Sequence, residues 1–290
     1  MTDSSPVQVP GTVLTMRRIG TYQTMTLVAP GVAERFRPGQ FVAVAVGGEQ
    51  SSMLLRRCFS VREVKPDYGG TVEIVFAVRG KGTEWLAALR PRDIVDVAGP
   101  LGRPFPLPRD PVNCVLLGVA HGSAALFPLA AVLGQRDCRL HFVLGGATSD
   151  DVLGARGARR TGDSVAVATE DGSLGSAGSV GDLLPGVIED AQADVVYACG
   201  PLDTLRAVTR TCTGYGIPAQ VAVEEPMACG TGVCMACVLP VIGDDGGTHM
   251  VRTCVEGPVF RGERVRWDDV GTIPFDALGA PRALRLGERS

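Results

Sequence analysis

Apolar and polar residues alternate in short runs through the first hundred positions of the chain. The segments "YQTMTLV", "QFVAVAV", "CFSVREV" and "TVEIVFAV" each repeat with period two, as strands with one buried face do. Turn-forming clusters, "APG", "RPGQ" and "PDYGG", separate them. Closely spaced strands with no long helix between them predict a small antiparallel barrel from Gly11 to about Gly99. A short helix is expected over "TEWLAAL" with Thr83 as its N-cap, and "GPLGRPF" reads as a turn around Gly99, Pro100 and Gly102.

Past "PLPRDPVNC" the pattern changes. "CVLLGVA" is a continuous apolar run suited to a parallel strand buried on both faces, and an alanine- and leucine-rich helix is predicted from about Ala124 to Leu133. "LHFVLG", "SVAVAT" and "DVVYAC" are further strands, and the helix "LDTLRAVTRTC" begins just after "CGP". This alternation predicts a parallel sheet with crossover helices. After "AQVAV" regular patterning gives way to a cysteine-rich segment. The expected division is a barrel at 7–107, an α/β domain at 108–222, a small cysteine-bearing domain at 223–272, and a tail at 273–290 without a functional reading.

Composition narrows the function classes. A net charge of −3 with no basic stripe gives no footprint for nucleic acid or an anionic membrane. The start "MTDSSPVQVP" has neither a basic region nor an apolar run, and no stretch has the length of a membrane span, so a cytoplasmic protein is expected. The nine cysteines are an odd number, which with no export signal argues against a disulfide framework. Cys58, Cys114, Cys138, Cys199 and Cys212 lie in apolar or mixed segments and read first as small buried hydrophobes.

The other four are different. In "MACGTGVCMACV" and "VRTCVEGPVF", Cys229, Cys234, Cys237 and Cys254 are spaced C-x4-C-x2-C-x16-C. Structural zinc more often uses two short C-x2-C pairs, whereas three cysteines in one loop and a remote fourth match the plant-type [2Fe–2S] spacing. The cluster is favoured over zinc, with disulfides third. Gly230 and Gly232 let a loop wrap sulfur with its backbone N–H groups, and Ala228 and Ala236 leave room. A cluster of this kind carries single electrons and needs donors and acceptors elsewhere.

Candidates for those lie upstream. In "RRCFSV", Arg57 is suited to neutralising a pyrophosphate, Phe59 to lying against a flavin ring, and Ser60 to donating to its polar edge. "RGKGTEWLAAL" then sets Gly80, Gly82 and Thr83 before a short helix. In this order the motifs resemble the ferredoxin–NADP reductase superfamily. With "TEDGSLGSAGSV", "YACGPLDTLRAV" and "VEEPMACGTGVCMACVLP", the resemblance narrows to the electron-transfer subunits of dihydroorotate dehydrogenase, over about Val7 to Trp267. It implies FAD on the barrel, lined by Arg57, Cys58, Phe59, Ser60, Val75, Phe76, Ala77, Gly82 and Thr83. It also implies NAD(H) approaching the flavin near Cys199, which becomes the candidate catalytic residue at that contact, and a cluster facing a separate FMN-containing catalytic subunit in a hetero-oligomer. Electrons from dihydroorotate would then reach NAD+ in pyrimidine biosynthesis. Related flavin and iron–sulfur subunits of sulfide dehydrogenase, hydrogenase or ferredoxin reductase complexes share these parts, and a zinc-binding module is the alternative of another class.

Two places depart from the family pattern. The glycine-rich loop expected after the first α/β strand reads "HGSAALFP", His121 to Pro128, with His121, Ser123 and Ala125 at positions where glycine lets backbone approach phosphate. His121 reads as a surface residue flanking a helix. Ala77 stands where relatives often carry arginine or lysine.

Overall fold

A computed structural model describes residues 5–48, 51–67 and 69–280. Tyr68 of the "PDYGG" turn and positions 281–290 of the tail lie outside the described residues. The N-terminal part is a closed antiparallel barrel. Its strands are β1 (Val7–Ile19), β2 (Tyr22–Val28), β3 (Phe41–Val44), β4 (Arg57–Lys65), β5 (Thr71–Phe76) and β6 (Ile94–Leu101), in the order β1-β2-β5-β4-β3-β6. Period-two alternation sends Met25, Leu27, Val42, Val44, Val61, Val72, Ile74 and Val97 into one fully buried core. The pairing of Ala43 with Cys58 and of Val44 with Arg57 fixes which side of β4 each residue of "RCFS" faces.

Two local expectations are corrected in the barrel. Gly99 and Pro100 belong to the end of β6 rather than to a turn. Helix α1 is a single turn, Pro30–Ala33, and helix α2 spans Lys81–Ala87, so Thr83 is its third residue and not its N-cap. The Thr83 hydroxyl still serves the helix start, accepting the Arg79 and Gly80 amides at 2.9 and 3.2 Å.

The second body is a seven-stranded sheet. Its strands are β7 (Asn113–Val119), β8 (Arg139–Gly146), β9 (Ser164–Thr169), β10 (Ser176–Ala177), β11 (Val195–Gly200), β12 (Ala219–Val223) and, from beyond the cysteine segment and a hairpin, β15 (Val259–Arg261). The order is β10-β9-β8-β7-β11-β12-β15, parallel except for β15. Helices α3 (Leu126–Gly134) and α4 (Ala155–Thr161) cover one face, and α5 (Val180–Ala191) and α6 (Leu202–Tyr215) the other. The buried run of β7 reads as expected for a strand covered on both faces. The helix after it starts later than predicted: Ala120–Ala125 is a 3-10 turn, and α3 begins at Leu126 with Pro128 in its first turn, where a missing N–H costs nothing.

Strands β1, β6 and β10 and helices α1 and α4 were not among the expected elements, and three further elements were not expected either. Helix α5 carries Pro185 and two glycines, which mask its pattern, yet "SVGD" at its start is a capping box in which Ser179 accepts from the Asp182 amide and Asp182 from the Ser179 amide. The hairpin of β13 (Val238–Ile242) and β14 (Thr248–Arg252) is joined across "GDDGG", a turn signal of the usual kind. Strand β15 returns beside β12 and carries the chain around the cysteine segment.

Candidate functional site

β4 and β5 form one wall of a cavity of about 340 Å³ between the barrel and the carboxyl end of the parallel sheet. Arg57, Cys58, Phe59, Ser60, Val75, Phe76, Ala77 and Thr83 all line it. Gly82 is not on that wall but makes it possible: a Cβ there would stand 2.8 Å from the Arg57 Nε. Arg57 donates to the Leu55 carbonyl at 2.6 Å, which holds a cation among the lining residues. Phe59 is largely committed to the barrel core, its ring centroid 5.5 Å from that of Phe76. Arg79 also lines the cavity, so a cation stands two residues from Ala77. A pocket with a buried apolar floor, a cradle that only glycine leaves open and cations at its rim has the chemistry of a site for an apolar ring bearing phosphates.

The opposite wall comes from His121 and from Val223 to Met227. Here the strand order reverses between β7 and β11, the place where open α/β sheets bind ligands. A Cβ on Gly122 would meet the Glu224 Oε1 at 2.8 Å and the Gly200 Cα at 3.0 Å, so backbone packs tightly at this switch point. Of the three departures from the glycine-rich loop, Ser123 and Ala125 are buried and only His121 reaches the cavity. His121 is therefore no free surface residue: its ring stacks on Tyr22 at 6.1 Å, and its Nε2 lies 3.9 Å from the Glu224 Oε2. Cys199, at the end of β11, is 2 % exposed and is not among the residues lining the cavity. Burial, and next to it the Glu224 carboxylate, raises its thiol well above the ordinary range. Burial also raises the Glu225 carboxyl, whose Oε1 has no hydrogen-bond partner.

The cysteine loop abuts the same wall. Gly230 (φ +71°), Gly232 (φ +85°) and Met235 (φ +59°) are left-handed, which coils Cys229–Cys237 into consecutive turns. The amide of Thr231 donates to the Cys229 Sγ at 3.4 Å. Burial pushes the Cys229 thiol up, but the amides of Cys234, Thr231 and Val233 and the Cys234 side chain outweigh it and hold it down at about 6. Cys237 and Cys254 are both 2 % exposed. Cys254 is pushed up to about 12, chiefly by burial and then by Cys237. Among the described residues no group of three His, Cys, Asp or Glu side chains surrounds a point suited to a single metal ion.

Arg252 ties this loop to the hairpin, donating to the Gly232 carbonyl at 3.0 Å while pairing with Glu256 at 2.6 Å. Phe41, Ala43 and Leu101 of the barrel pack with Cys237 and Cys254, and Cys58, Ala98 and Met227 pack against them. Cys58 is half-buried, and its thiol is pushed up to about 12 by burial first and then by Cys229 and Cys237.

The iron–sulfur cluster binding domain of dihydroorotate dehydrogenase B matches residues 224–266. Over 258 residues the chain is 38% identical to the dihydroorotate dehydrogenase B (NAD(+)) electron transfer subunit of Geobacillus thermodenitrificans, covering 88% of this chain and 96% of that one. The chain belongs to the family of dihydroorotate dehydrogenase B electron transfer subunits. The subunit of Desulforamulus reducens is 34% identical over 84% of this chain and 92% of its own. Among solved structures, a chain of the NADH-dependent reduced ferredoxin-NADP oxidoreductase superposes with a TM-score of 0.78 at 29% identity, covering 90% and 91% of the two chains.

For this family member, the structure brings Arg57 to Ser60, Val75 to Ala77 and Thr83 onto one side of a wall whose other side packs Cys237 and Cys254. Arg79, Glu224, Glu225 and the Arg252 clamp were missed by sequence reasoning. Glu224 and Glu225 directly follow the last parallel strand, a place where switch-point sites recruit side chains. Arg252 stands two residues before a cysteine and offered no local signal.

No helix among the described residues is long and apolar enough to cross a membrane.

Proposed function

We propose that this chain receives electrons singly from an FMN-containing dihydroorotate dehydrogenase catalytic subunit and delivers them in pairs to NAD+. The observation that carries this reading is the direct packing of the four-thiol loop on the strand that lines the barrel cavity. Bound FAD would convert one-electron traffic into hydride chemistry, and a [2Fe–2S] cluster would relay single electrons. Cys229, Cys234, Cys237 and Cys254 would hold that cluster, as their C-x4-C-x2-C-x16-C spacing suits.

Arg57 would neutralise the flavin's pyrophosphate, and Ser60 would donate to its polar ring edge. Val75, Phe76, Ala77 and Thr83 would line it, with Gly82 keeping the guanidinium's place clear and Cys58 facing the cluster side. The nucleotide would enter past His121 toward the carboxyl ends of β7 and β11. There the neutral Cys199 thiol lies behind the wall beside Glu224, and it shapes the site through packing. The barrel at 7–107, the α/β unit at 108–222 and the cysteine unit at 223–272 would each carry one of these tasks.

The likeness to the ferredoxin-NADP oxidoreductase favours a second reading, a flavin and iron–sulfur subunit of a ferredoxin reductase complex. The partner decides between them. Isolation of the native complex should yield a dihydroorotate dehydrogenase subunit, and dihydroorotate should drive NAD+ reduction by that complex. A ferredoxin-reducing, sulfide-oxidising or hydrogen-oxidising partner, with no dihydroorotate-dependent reduction, would overturn the first reading.

A further inference from the structure

Electrons that move between a barrel cavity and the cysteine loop must cross the wall that separates them. Phe41, Cys58 and Met227 belong to both sides of that wall: each lines the cavity, and each packs in the cluster of side chains that holds Cys237 and Cys254. Cys58 differs from the other two in what it touches. It lies inside the "RCFS" run of β4, between Arg57 and Phe59, and opposite Ala43 of β3. On its other side is the loop backbone beside Cys229: a Cβ built on Gly230 would fall 2.8 Å from the Cys58 Sγ, closer than to Phe41 at 3.6 Å or Ala43 at 3.7 Å. The absence of a side chain at Gly230 is what lets the sulfur rest against the loop.

We propose that the Cys58 sulfur is the bridging contact through which the barrel cofactor and the loop cofactor exchange electrons, a positioning residue that is not itself a ligand. This rests on the reading of the two sites given above. Tunnelling decays more steeply across a gap than across packed atoms, and a large polarisable sulfur in contact on both sides fills the gap that a smaller side chain would leave. No bond to Cys58 forms or breaks. The electron lost at one cofactor is the electron gained at the other, and the thiol keeps its proton throughout.

The test uses the intact protein with both cofactors, prepared without oxygen, and begins with iron, sulfide and flavin analysis of the wild type. A wild type lacking either cofactor sinks the reading of the sites, and this inference with it, before any variant is made. In cofactor-replete protein, a photochemical one-electron donor reduces one centre in a flash, and the spectra of flavin and cluster follow the exchange between them. In Cys58→Ala protein compared with wild type at equal content of both cofactors, that exchange should slow several-fold while both midpoint potentials stay at their wild-type values. Cys58→Ser, which keeps an atom at the sulfur position, should fall between alanine and wild type and covers the case in which alanine fails to fold. Exchange at the wild-type rate in both variants would overturn the inference while leaving the two sites intact. Slower exchange accompanied by loss of cluster or shifted potentials would also overturn it, and would make Cys58 a structural support.

Discussion

The barrel cavity and the cysteine loop adjoin one wall, yet they are built on opposite plans. The cavity is held by strands: Arg57 to Ser60 and Val75 to Phe76 are fixed by cross-strand pairs and a buried core, and their side chains do the work. The loop has little regular structure of its own. It offers sulfur and backbone amides, shaped by left-handed glycines and tied down by Arg252. A strand-built site should lose affinity in increments when one side chain is removed. A turn-built site should fail outright when a ligand or a turn is lost, because no regular pairing remains to hold its shape.

The largest expected effect follows from that contrast. Cys234→Ser should abolish iron binding in anaerobically prepared protein while flavin content stays near that of wild type, since the barrel core does not include the loop. Iron and flavin lost together would show that the two sites are not separable.

Next comes the turn itself. An alanine at Gly232 faces a left-handed backbone worth about 1–2 kcal/mol of strain for a side chain. It also faces a contact with the Val255 Cγ2 at 2.5 Å. Gly232→Ala should therefore lower iron occupancy after gel filtration, with the barrel's flavin unaffected. Full iron retention would mean that the loop tolerates another path.

Smaller is the loss from the strand-built side. Arg57→Ala removes a charge-assisted contact on the scale of about 1.5–3 kcal/mol, or around ten- to over a hundredfold in flavin affinity. Equilibrium dialysis followed by flavin absorbance measures it, and unchanged retention would remove Arg57 from the phosphate site.

The smallest effect concerns the nucleotide entrance. With Ser123 and Ala125 buried, His121 alone reaches the cavity, so His121→Gly is a cleaner variant than a triple replacement. If the imidazole narrows the entrance, reduction of bound flavin by NADH in stopped flow should be faster in His121→Gly. Equal rates would show that the imidazole, stacked on Tyr22, is already out of the nucleotide's way.

The same contrast explains what was readable in the chain. Strand alternation and the spacing of Cys229, Cys234 and Cys237 are local, so the barrel, the parallel sheet and this cysteine loop could be expected from residues a few positions apart, with Cys254 added from seventeen positions further on. What stayed hidden depends on contacts across the chain. β15 joins the sheet antiparallel after the whole cysteine segment, and Arg252 reaches back twenty positions to the Gly232 carbonyl. Glu224 acquires its neighbours only when the loop after β7 folds against it. Helix α5 is a different failure, in which Pro185 hid a helix that its capping box announced. Thr83 shows a third kind: the residue was assigned the right element and the wrong position, because its hydroxyl caps the helix from inside the first turn.

The central claim is that one chain holds a flavin in the strand-built cavity and a two-iron cluster in the turn-built loop. Quantifying iron, acid-labile sulfide, zinc and flavin in a single anaerobic preparation tests it most directly. The account predicts about two iron and about two sulfide per chain with one equivalent of FAD. A colourless protein carrying zinc and no flavin would contradict it.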